Sequence, residues 1–193
     1  MSDCEATMSV ELERYHFTTR DFYRMLEAGI LTEDDRVELI DGEVLEMSPT
    51  GSRHAGCVAR LNALFARRFM DFAIITIQSP VRLNDFSEPL PDVSVLKPRD
   101  DFYARSHPTP VDVLLLVEVA DSSIRYDKRV KVPLYASAGI PEVWVVNLNQ
   151  EAVEVYARPE RGAYRLARTF RRGEQIGSSL LAANALSVEA VLG

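Results

Sequence analysis

Two cysteines, one tryptophan and three histidines are all that the 193 residues hold, and these scarcities exclude several chemistries. Cys4 and Cys57 sit in unrelated contexts, a polar amino-terminal stretch and a helical pattern, so neither a disulfide framework nor a zinc site is indicated. The longest apolar run, Val113 to Val117, is far short of the roughly 20 residues that cross a bilayer. The polar start MSDCEATMSVELER lacks the apolar core of a signal peptide, which predicts a cytoplasmic protein with no membrane partner. A glycine-rich phosphate loop, an HExxH helix, paired CxxC motifs and a nucleophile elbow are all missing. A hydrolase using serine would have to be invoked without a motif.

What is there is ordinary for a globular chain: 47% hydrophobic and 26% charged residues, enough for one well-packed core. Residues 1–17 read as a flexible leader and 18–193 as a single domain. The net charge of −7 argues against a large non-specific polyanion-binding surface but leaves room for a local basic cleft. Acids gather near the amino terminus, as in TEDD (32–35), and arginines late in the chain and at Arg67 and Arg68.

Thr18 with Asp21 makes a capping box ahead of Phe22, Met25, Leu26 and Ile30, predicting a helix near 19–28. RVELIDGEVLEM reads as a hairpin turning at Asp41-Gly42. Val58, Leu61, Leu64, Phe65 and Phe69 recur at helical spacing behind Ser52. AIITIQS and VRLN read as strands about a turn at Ser79-Pro80, and PDVSVLKP as a short strand. VDVLLLVEV has the continuous apolar character of a central strand covered on both faces. In DKRVKVPLYASAG, Pro133 requires a helix that starts late, near Val130, or one that kinks, and Gly139 closes it. PEVWVVNL, EAVEVYAR and YRLARTF read as strands and SVEAVL as a final short helix. The expected class is α/β or α+β, a mixed sheet flanked by helices.

Glu118 interrupts the most apolar strand of the chain, and a buried carboxylate without a partner costs several kcal/mol. Asp92 occupies another strand-like run, so the two carboxylates meet if those strands are neighbours. A divalent cation between them relieves their repulsion, and Mg2+, with Mn2+ as a substitute, suits a site of one or two carboxylates plus waters. Lys131 could add an ammonium that orients a nucleophile or stabilises charge on a phosphorane-like transition state.

VELIDGEVLEMSPTGSRH, LPDVSVLKP and LLLVEVADSSIRYDKRVKVPLYASAGIPEVWVVNL, in that order, resemble the Uma2 (DUF820-like) family of restriction endonucleases, within the PD-(D/E)XK nuclease superfamily. The resemblance covers roughly residues 18 to 190 and implies a restriction-endonuclease-like fold. It implies that Asp92 and Glu118 are the metal-holding acids of a DNA endonuclease. The lysine that commonly lies two residues after the second acid is absent, because that place is Ala120. In this family it comes from the following helix, four residues before a tyrosine, which designates Lys131 ahead of Tyr135, with Lys128 as the rival. Glu38 matches a family glutamate that is often an auxiliary metal or water ligand, and His54 a family histidine of less defined role.

Each residue also has a structural alternative. Glu118 could belong to a buried ion pair, Asp92 could shape a turn, Glu38 could be the polar half of an alternating strand, and His54 could cap a helix. Tyr135, Trp144 and Tyr156 read as core. The resulting expectation is a Mg2+-dependent endonuclease acting on double-stranded DNA as a homodimer, Asp92 and Glu118 holding the metal, with Lys131 and Glu38 assisting. The alternative is a catalytically inactive nuclease fold that binds nucleic acid or protein.

Overall fold

The structure is a computed structural model that describes residues 14–32, 34–180 and 185–193. Most of the expected leader therefore lies outside the described residues. Residues 14–17 rest against the turn of the first hairpin, where the Phe17 amide donates to the Gly42 carbonyl at 2.9 Å.

Helix α1 (Thr19–Glu27) begins at the anticipated capping box, with the Asp21 amide donating to Thr18 Oγ1. Strands β1 (Val37–Ile40) and β2 (Glu43–Glu46) form the hairpin about Asp41-Gly42. Gly42 has φ +79°, and a Cβ there would lie 2.6 Å from His16 Cβ. Gly42→Ala is therefore expected to cost about 1–3 kcal/mol, read as a lowered urea midpoint; an unchanged midpoint would contradict the close packing.

Six strands form one sheet in the order β3 (Ile74–Ile77), β4 (Val93–Leu96), β5 (Val113–Ala120), β6 (Glu142–Asn147), β7 (Ala152–Glu160) and β8 (Ala163–Arg171). Only β5 and β6 pair in parallel; the other neighbours are antiparallel. The crossover between β5 and β6 is helical, as a parallel pair requires. Alternation along the strands divides the core. Val117, Val119, Trp144 and Val146 meet α2 (Ser52–Phe69), with Phe65 edge-on to Trp144 at 5.8 Å. Leu116, Ala120, Val143 and Val145 meet Val132 and Tyr135 on the other face. The strand carrying Glu118 is thus central and covered on both sides.

Two elements differ from the sequence reading. VRLN (81–84) forms no strand; Val81 and Leu83 sink into the core, and an isolated bridge between Asn84 and Ser87 is its only strand-like pairing among the described residues. The crossover helix starts before Val130: α3 (Ile124–Tyr126) passes through a π-helical turn over Asp127–Lys131 into α4 (Val132–Ser137). A proline ring clashes with the carbonyl four residues earlier and lacks the amide donor; a widened turn just ahead of Pro133 accommodates both. Short strands β9 (Gln175–Ile176) and β10 (Leu186–Ser187) and helix α5 (Val188–Leu192) close the α2 face.

Candidate active site

Asp92 immediately precedes β4, beside the C-terminal part of β5. Its Oδ2 accepts from the Val119 amide at 2.8 Å and lies 3.0 Å from His54 Nε2 of α2. Its Oδ1 accepts from Gln78 Nε2 at 3.1 Å. Burial pushes the carboxyl up, but these hydrogen bonds and the imidazole outweigh it and hold Asp92 below the usual carboxylate range. The hydrogen bond to Asp92 in turn raises the His54 imidazole above its ordinary value. His54 Nδ1 is buried with no partner among the described residues.

Glu118 shares the sheet face of Leu116 and Ala120, toward the crossover helix. Tyr135 donates its hydroxyl to Glu118 Oε1 at 2.5 Å, and Lys131 Nζ lies 3.3 Å from the same oxygen. Lys131 also stands 3.1 Å from Glu38 Oε2. Glu38, buried on β1, accepts from the Leu90 amide at 3.2 Å and from the Tyr126 hydroxyl at 3.1 Å. The π turn aims both Asp127 and Lys131 inward, each almost fully buried. Burial alone would lower the Lys131 ammonium, but Glu118 and Glu38 outweigh it and hold the lysine charged. Glu118 is the acid that gives way, pushed well up by burial and by the neighbouring charges of Asp127, Asp92 and Glu38 against the pull of Lys131.

The structure therefore brings Glu38, Asp92, Glu118, Lys131 and His54 to one cleft of about 780 Å³, whose other wall includes Leu45 and Met47 from the hairpin. The rival Lys128 points elsewhere and pairs with Glu154 on β7 at 2.7 Å. Tyr135 is not simple core, because its hydroxyl engages Glu118. Gln78, Tyr126 and Asp127 also belong to the cluster. Gln78 has a positive φ of 44°, a conformation rare for a non-glycine residue and common where geometry is imposed. Nothing in the strand pattern of AIITIQS signals this, whereas Asp127 and Tyr126 stand in the DSSIRYDK segment after the second acid.

Glu38, Glu118 and Asp127 thus surround the Lys131 ammonium, and Asp92 stands near Glu118 against the His54 imidazole. The oxygen donors are hard and their negative charge exceeds the positive, which fits a divalent cation held by one or two carboxylates and waters. A denser site is not present: no group of three or more His, Cys, Asp or Glu suited to a metal occurs among the described residues. The Asp127 carboxyl is pushed up to about 6 by burial, against the hydrogen bond from Ser123. A carboxylate whose folded pKa exceeds its unfolded value, 3.8 here, destabilises the fold above the folded pKa and not below the unfolded one. Asp127→Asn is expected to stabilise the metal-free protein by about 2–3 kcal/mol at pH 8. The gain should shrink as pH falls through about 6 toward 4. Urea unfolding at the two extremes checks this, and equal gains would contradict it.

This mixed sheet with its carboxylate-lined cleft at the ends of β4 and β5 is a nuclease fold. The chain belongs to the Uma2 family, described as "Putative restriction endonuclease", which it matches over residues 19–189. Its fold is similar to the crystal structure of a putative nuclease belonging to DUF820 from Anabaena variabilis, with a TM-score of 0.65 and 17% sequence identity over 91% of this chain and 97% of that one. No curated protein matches the chain significantly. No described helix is long and apolar enough to cross a membrane.

Proposed function

We propose that the protein is a Mg2+-dependent DNA endonuclease that hydrolyses phosphodiester bonds in this cleft. The observation that carries the reading is the convergence of Asp92 and Glu118, from adjacent strands, beside the buried ammonium of Lys131. Asp92 and Glu118 would hold the metal, with Mn2+ able to substitute, and the bound ion would supply charge neutralisation at the scissile phosphate.

The chain's own groups divide the remaining work. The Val119 amide, Gln78 and His54 fix the Asp92 carboxylate in its ionised form. Tyr135, a donor whose phenol is pushed well up by burial, orients Glu118. Lys131 stays charged near neutrality, so it acts as a hydrogen-bond donor and fixed positive charge toward phosphate or water rather than as a base. Glu38 positions that ammonium from the opposite side. Cutting both strands of duplex DNA favours a homodimer.

The reading of a catalytically inactive binding module draws on two observations: Lys131 already engages both Glu118 and Glu38, and no three-ligand metal cluster exists among the described residues. Incubating supercoiled plasmid with Mg2+ or Mn2+ separates the two. Wild-type cleavage that disappears in an identically purified Asp92→Asn variant supports the nuclease. Equal cleavage by both proteins, or none by wild type on plasmids of varied sequence, removes it.

A further inference from the structure

The charge of α2 does not follow from the rest of the chain. In a protein of net charge −7, this 18-residue helix carries four arginines and no acid. Arg67 and Arg68 in its last turn suit the helix dipole, but Arg53 lies in the first turn, where a cation is unfavourable and where the helix has no acid to offset it. Arg53, Arg60 and Arg67 recur every seven residues, with Gly56 and Ala63 between them, and all five are exposed along one side. The opposite side of the helix, Val58, Leu61, Phe65 and Phe69, is buried in the core. The three arginines span about 21 Å at 1.5 Å per residue.

This stripe begins at the cleft. His54, one residue after Arg53, contacts Asp92, while the Arg53 guanidinium reaches the Leu148 carbonyl at 2.9 Å and Asp121, itself a cleft residue, at 3.5 Å. Beyond it, Arg53, Arg60 and Arg172 border a second hollow of about 310 Å³ that opens over Gly56, where a Cβ would meet nothing within 4 Å. The acids facing the stripe are few: Asp121, engaged by Arg53, Glu151, engaged by Arg172 at 3.1 Å, and Glu189, close enough to Arg172 for their charges to interact. Arg60 donates to the Leu192 carbonyl at 2.6 Å, which fixes its side chain across the surface.

We propose that the Arg53–Arg60–Arg67 face of α2, extended by Arg172, is a docking surface for the phosphodiester backbone of duplex DNA that leads into the cleft. The inference rests on the nuclease reading for its ligand class. A straight, rigid row of guanidinium groups separated by small residues matches a regular row of phosphates, whereas surfaces for single strands rely on exposed aromatic rings. Between Arg53 and Arg67 the phenyl ring of Phe65 is buried and the His54 imidazole is engaged by Asp92.

The test is fluorescence-anisotropy binding of a short labelled duplex, in EDTA, across a series of NaCl concentrations. Arg53→Gln/Arg67→Gln is compared with wild type and with Arg165→Gln, a residue paired with Glu160 on the β7–β8 hairpin. The double variant should bind about tenfold or more weakly at moderate salt, and its plot of log affinity against log salt should be shallower by about two. Arg165→Gln should match wild type. Arg60 is left in place because it holds two backbone carbonyls, those of Val191 and Leu192, where Arg53 holds one. Wild-type affinity and slope in the double variant would overturn the surface, as would a wild-type protein that binds no duplex at low salt. Plasmid cleavage by wild type, measured in parallel, keeps the two readings apart. Cleavage with unchanged binding of the variant sinks only the surface, and a binding change without any wild-type cleavage sinks only the nuclease.

Discussion

Glu118→Gln is expected to abolish plasmid cleavage while leaving the metal-free protein at least as stable as wild type. The amide keeps the shape of the side chain and can still accept from Tyr135 and Lys131, which now sit 2.5 Å and 3.3 Å from Oε1. What it loses is the negative charge. That charge is already disfavoured, since burial and three nearby acids push Glu118 well above its ordinary range. A carboxylate retained for stability should make its neutral isostere destabilising; one retained for a cation should not. Loss of a metal ligand should remove several kcal/mol of transition-state stabilisation, a rate decrease of at least about 10³-fold. Thermal unfolding in EDTA, paired with single-turnover cleavage in Mg2+, reads both effects. A variant that melts well below wild type and still cuts DNA would return Glu118 to the role of a structural ion-pair partner.

Lys131→Met has the larger structural effect. Its ammonium is nearly inaccessible, with 4% of the side chain exposed, and it is the only lysine or arginine that the described structure places against Glu38 and Glu118. Removing it leaves acids buried without a cation, for which the expected loss is about 3–5 kcal/mol near pH 8. Protonation of Glu118, which burial already pushes well up, relieves the repulsion, so the loss should diminish as the pH is lowered toward 5. The double variant Lys131→Met/Glu38→Gln should recover part of the stability because it removes one of the stranded charges. Urea unfolding of the single and double variants across that pH range is the measurement. A single variant as stable as wild type at pH 8 would mean that the acids are not coupled through Lys131.

The two predictions pull in opposite directions, and that opposition is informative about the cluster. Four carboxylates and one ammonium form a site in which some negative charge is in excess for folding alone, so neutralising Glu118 or Asp127 should relax it and removing Lys131 should aggravate it. Excess negative charge held in place by packing is the electrostatic condition that the proposed metal site would need.

Much of this was legible in the residues because it is local. The capping box at Thr18 and Asp21, the Asp41-Gly42 turn, the spacing of Val58, Leu61, Phe65 and Phe69, and the apolar run around Glu118 each encode their structure within a few neighbours. Two local patterns misled. VRLN has strand-like alternation, yet Val81 and Leu83 are buried by a loop that crosses the core rather than by a ladder. Pro133 pointed to a late start or a kink, and the chain instead widened one turn, a solution that depends on what the turn packs against.

The sequence by itself determined the inventory: a mixed sheet with a central, fully covered strand, a carboxylate placed where apolar packing alone gives no reason for one, and acids and lysines in the order of a nuclease family. Tertiary structure decided which of these groups meet. Lys131 rather than Lys128 enters the cleft because the π turn rotates Asp127 and Lys131 to the inner side, while Lys128 reaches Glu154 on β7. Tyr135 and Tyr126 become hydrogen-bond donors to Glu118 and Glu38, and Gln78 to Asp92, across separations of 17, 88 and 14 residues. Periodicity records which side of its own element a residue occupies, and the contacts between elements are fixed only when helix, hairpin and sheet pack together.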